Sequence, residues 1–116
     1  MRHADLDMNR ARRGLAASDW DECAYHCQQA AEKSLKALLL HRGKELVWIH
    51  KTWQLAQLVD APEQVALAGS YLYPAYAAAR YPEEDAPFPM FTRTDAEKHL
   101  RQAEVVVRWV ESMLKQ

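Results

Sequence analysis

Apolar residues recur at helical spacing along most of the chain and no stretch alternates as a strand would, so the pattern predicts an all-α protein. Ala4, Met8, Ala11 and Leu15 form one stripe, which predicts a first helix over residues 4–17. Ser18 and Asp19 then offer an N-cap and Asp21 and Glu22 an acidic first turn, so a second helix is expected to run to Gly43, a natural stop. Its apolar positions are Cys23, Cys27, Ala30, Ala31, Leu35, Leu38 and Leu39. Glu22, His26, Gln29, Lys33 and Lys36 fall opposite them.

After a connection over 44–49, a third helix is expected from His50 to Val59, with Trp53, Ala56 and either Leu55 or Val59 inward. Asp60, Ala61 and Pro62 mark a break, and a fourth helix follows over 62–79. Val65, Leu67, Ala68, Tyr71, Leu72, Ala75, Tyr76 and Ala79 leave it little polar face, which predicts burial on both sides and hence a subunit interface. Pro74 removes one backbone hydrogen bond and is expected to kink this helix near Ser70 to Tyr73. Three prolines, three acids and two phenylalanines between Pro82 and Phe91 predict a stiff loop. A fifth helix is expected from Thr94, capped with Glu97, along the stripe Ala96, Leu100, Ala103, Val107, Val110 and Leu114. The predicted architecture is an up-and-down four-helix bundle with a short additional helix, dimerising through helix four and the loop after it.

Composition narrows the function classes. With 116 residues the chain fits one domain, 1–116, and its net charge of −1 means that any RNA contact needs a local basic patch. No apolar run approaches the roughly 20 residues of a membrane span, and the polar N-terminus lacks a secretory core, so a soluble cytoplasmic protein with no membrane contact is expected. Cys23 and Cys27 lie one helical turn apart and read as buried free thiols; no metal site is expected. No Glu is followed three residues later by His, no glycine-rich phosphate loop exists, and no nucleophile elbow is present, so no cofactor is expected.

The run Gln28, Gln29, Ala30, Ala31, Glu32, Lys33, continued by Leu35, Lys36, Ala37 and Leu38, resembles the second helix of HEPN domains, small helical nucleotide-binding domains of prokaryotes and higher eukaryotes. His50 opening the next helix, Arg80, Tyr81 and Pro82 after the fourth, and Thr94 to Glu97 with Trp109 and Val110 in the last extend the resemblance over most of residues 4–115. RNA-cleaving members of that superfamily use an arginine, four to six further residues, and a histidine. Counted from Arg80, those positions hold Asp85, Ala86 and Pro87, so the histidine is missing.

The resemblance therefore implies a binding module: a partner of a small nucleotidyltransferase in a toxin-antitoxin-like pair, taking nucleotide or polynucleotide near Arg80. There the guanidinium would hold a phosphate, Tyr81 would stack on a base, and Lys33 and Lys36 would extend the anion site. The plainer readings are that Arg80 complements a helix dipole and that the lysines belong to a salt-laced surface with Glu32 paired to Lys36. Arg93 and His99, with five residues between them, do satisfy the nuclease spacing, which makes a metal-independent endoribonuclease toxin the alternative; the plain reading of this pair is a solvated helix face. A structural dimerisation adaptor is the third reading.

Overall fold

A computed structural model describes residues 1–45, 51–80 and 90–116, with the backbone alone for 77–80. Five helices make up these residues: α1 (Arg2–Ala16), α2 (Trp20–His41), α3 (Thr52–Leu58), α4 (Glu63–Arg80) and α5 (Arg93–Leu114). No strand occurs among them. The long helices α1, α2, α4 and α5 form the expected up-and-down bundle, and α3 is the short addition.

Helix α2 touches all four others and pairs most extensively with α1 and α5, whereas α1 and α4 share no contact among the described residues. That central position explains its sequence. The expected stripe is buried, but so are Ala24, Gln28, Glu32 and Ser34, because neighbours cover α2 on more than one side. Cys23 and Cys27 are free and fully buried. Their mutual hydrogen bond and their burial hold the Cys27 thiol well above its ordinary range.

The ends of the helices follow local chemistry. Asp19 caps α2 by accepting from the Glu22 amide, and Gly43, at φ 74°, takes the left-handed turn that ends it. Helix α3 starts at Thr52, with His50 outside the described residues, and the buried Thr52 hydroxyl donates to the Gly69 carbonyl of α4. A Cβ at Gly69 would sit 3.0–3.2 Å from the Thr52 and Trp53 backbone, so glycine is what lets α3 approach α4 this closely.

Helix α4 continues past Pro74 to Arg80 as one element, burying Val65, Ala68, Leu72 and Ala75. Leu67 on the same helix is 62% exposed, so this chain leaves part of the apolar surface of α4 uncovered. The start of α5 corrects the expectation: the capping box is Thr92 with Asp95, not Thr94 with Glu97. Thr92 Oγ1 accepts from the Asp95 amide at 3.1 Å and Asp95 Oδ2 accepts from the Thr92 amide at 2.9 Å. Aspartate closes the reciprocal pair as glutamate would. No helix among the described residues is long and apolar enough to cross a membrane.

Candidate functional site

Between α4 and α5, Ser70, Tyr71, Pro74, Met90, Phe91, Asp95 and His99 line an open cleft of about 370 Å³. His99 projects from the first turns of α5 and is only 3% exposed, which corrects the solvated-face reading of this residue. Its ring lies between Tyr71, 4.8 Å away between centroids, and Phe91, 5.0 Å away in an edge-to-face arrangement. Sequence spacing alone could not reveal this environment, since Tyr71 comes from another helix.

Hydrogen bonding fixes the ring's chemistry. His99 Nδ1 is 2.6 Å from the Asp95 carbonyl, which can only accept, so the proton sits on Nδ1. Burial pushes the imidazole below its ordinary range and keeps it neutral at pH 7. Nε2 therefore carries a lone pair, and it has no hydrogen-bond partner among the described residues.

The lip of the cleft is pinned from α2. Asp21 Oδ2 and Oδ1 accept the Met90 and Phe91 amides at 2.9 and 2.8 Å, which sets Phe91 against His99. Lys98 Nζ lies 4.4 Å from the Tyr71 ring centroid. Burial also raises the Tyr71 hydroxyl above its usual range, with the nearby Asp95 carboxylate adding to the effect.

Arg93 is not brought to His99. Its guanidinium lies 5.7 Å from the Trp20 ring and faces Glu97 at 3.7 Å, and Arg93 is not among the residues lining the cleft. The backbone of Arg80 ends α4, while its side chain and Tyr81 lie outside the described residues, as do Asp85, Ala86 and Pro87.

The lysines of α2 are occupied. Lys36 Nζ meets Glu32 Oε1 at 3.2 Å, as the spacing predicted. Lys33 Nζ meets Asp7 Oδ2 at 2.6 Å, so the charge that an anion site would need is already neutralised by a buried carboxylate of α1. His26 bridges the same Asp7 and Glu22, both at 2.8 Å. Sequence reading missed this cluster, whose members lie up to 26 residues apart. Among the described residues no group of three or more His, Cys, Asp and Glu is arranged to hold a metal ion.

The HEPN domain family model matches residues 1–113. A protein of Methanocaldococcus jannaschii named as a candidate toxin is 25% identical over the whole of this chain and 86% of its own length. Among solved structures, a Thermus thermophilus protein is 31% identical with a TM-score of 0.85, covering 96% of this chain and 92% of its own. An archaeal HEPN homologue is 28% identical with a TM-score of 0.84, covering 97% and 92%. A HEPN domain protein from Thermotoga maritima, 22% identical with a TM-score of 0.79 and covering 100% and 99%, shares the fold.

Proposed function

The chain belongs to the HEPN domain family, and on that premise we propose that it binds a nucleotide or a single-stranded RNA segment, with a base entering the α4–α5 cleft. The supporting observation is a neutral, buried His99 held between Tyr71 and Phe91 with Nε2 unpartnered. Flat aromatic walls and one in-plane polar group are what a stacked base requires. Arg80 ends the same helix, about 9 Å of helical rise beyond Pro74, and supplies the phosphate contact. The chain acts as the partner of a small nucleotidyltransferase in a toxin-antitoxin-like pair, and it pairs with a second copy through the exposed surface of α4 around Leu67.

Calorimetric titration with nucleoside monophosphates tests the site. Tyr71→Ala should weaken binding at least tenfold, as loss of one stacking partner does; unchanged affinity would remove the cleft from the reading. Co-purification with a nucleotidyltransferase encoded beside it tests the partnership.

A second reading rests on the same His99. A neutral imidazole with a free lone pair is a competent general base for a ribose 2'-hydroxyl, and the M. jannaschii relative is named as a candidate toxin. RNA cleavage and growth inhibition measured for Arg80→Ala and His99→Ala decide this; activity that survives both changes sinks the ribonuclease.

A further inference from the structure

Resting on the base-binding reading above, the geometry points to guanine as the base that the α4–α5 cleft selects, recognised through its N1–H and 2-amino donors by His99 and the Ser70 carbonyl. Two acceptors belong to residues that line this cleft, each left without a donor for an independent reason. The first is His99 Nε2, left with a lone pair because Nδ1 donates to the Asp95 carbonyl. The second comes from backbone chemistry. Pro74 lies inside α4 and has no N–H, so the Ser70 carbonyl, four residues earlier, is without its helical donor. Ser70, Pro74 and His99 all line the same cleft.

The rest of the lining agrees in sign. Asp95 adds a carboxylate, and among the described residues no lysine or arginine lines the cleft. A wall of acceptors repels carbonyl and phosphate oxygens and rewards adjacent N–H groups. Guanine offers three such hydrogens side by side on N1 and N2. Adenine and cytosine each offer a single amino group flanked by an acceptor, and uracil places one N–H between two carbonyls. A guanidinium side chain also carries adjacent donors, but it would bring a second cation next to Lys98, which already lies over the Tyr71 ring.

Discrimination by a hydrogen-bonding site is large because the ligand lacking the donor leaves buried acceptors unpaired. Titration of the full chain with GMP, IMP, AMP and UMP at pH 7.5 is the test, since IMP differs from GMP only by the missing 2-amino group. GMP should bind at least tenfold more tightly than IMP and UMP. His99→Phe keeps an aromatic ring but removes the acceptor for N1–H, a donor that GMP and IMP share, so it should weaken both by a similar factor of at least tenfold and leave the preference for GMP over IMP in place. Pro74→Ala returns a donor to the Ser70 carbonyl and should reduce the preference while making α4 more stable, which keeps the test open if the His99 variant fails to fold. Nucleotides that bind with equal GMP and IMP affinities overturn the guanine assignment and leave base binding standing. No nucleotide binding at millimolar concentration to folded protein overturns both. Argininamide displacing GMP with equal affinity assigns the cleft to a guanidinium and overturns the proposal.

Discussion

The carboxylate of Asp7 and the imidazole of His26 meet across the α1–α2 interface at 2.8 Å, with Asp7 only 1% exposed. Lys33 takes the second Asp7 oxygen at 2.6 Å and Glu22 takes the second His26 nitrogen at 2.8 Å, so one buried acid organises three side chains. Removing one member of a buried charged cluster leaves the others desolvated and unpaired. Asp7→Ala should therefore cost about 3 kcal/mol, discounted from the upper range because Lys33 can turn to water. Urea denaturation would measure it. A loss below about 1 kcal/mol would mean that the cluster is solvated in solution.

The position of the α5 cap separates two variants that look equivalent in the sequence. Thr92 makes the reciprocal bonds with Asp95, while Thr94 lies inside the first turn. Thr92→Ala should destabilise by about 1 kcal/mol and Thr94→Ala by at most about 0.5 kcal/mol. The Thr92 bonds hold the Asp95 carboxyl below the usual carboxylate range. A depressed carboxylate contributes stability that is fully present above the unfolded value of about 3.9 and is lost as pH falls toward the folded value. The gap between wild type and Thr92→Ala should accordingly narrow below about pH 4. Equal melting temperatures for the two variants at neutral pH would contradict the assignment.

These two cases mark what the sequence made legible. Helical period, caps and glycine stops are local signals, so the five elements and the stripe of α2 could be read within a few residues. The environments of Asp7 and His99 depend on which helices become neighbours. Asp7 looks like a polar position until Lys33 and His26 arrive from α2. His99 looks solvated until Tyr71 from α4 and Phe91, tied by Asp21, enclose it. The missing histidine after Arg80 was visible in the sequence, while a histidine enclosed by aromatic rings was visible only in the fold.

Gly69 tests the contact between α3 and α4. Alanine is ordinarily better than glycine inside a helix by roughly 0.5–1 kcal/mol. Here the new methyl would press on backbone atoms of Thr52 and Trp53 at 3.0–3.2 Å, which cannot rotate aside as a side chain would. Overpacking of this kind costs about 1–3 kcal/mol, so Gly69→Ala should be net destabilising by about 1 kcal/mol. A rise in melting temperature would show that α3 can slide along α4.

The neutrality of His99 carries a pH signature that needs no ligand. Burial holds its folded-state pKa below the ordinary value of about 6.5. As pH falls through that value the unfolded chain takes up the proton first, so stability declines between the unfolded and folded pKa values and then levels off. Around the ring, Asp95 and Lys98 pull in opposite directions and Tyr71 and Phe91 are uncharged at these pH values, which leaves desolvation dominant. In His99→Phe this loss disappears. Chemical denaturation from pH 7.5 to 5 should show wild type losing stability relative to the variant, with the other four histidines cancelling in the difference. Two curves that stay parallel across this range would mean that His99 has the same pKa in the folded and unfolded chain, and the desolvated setting between Tyr71 and Phe91 would then be wrong.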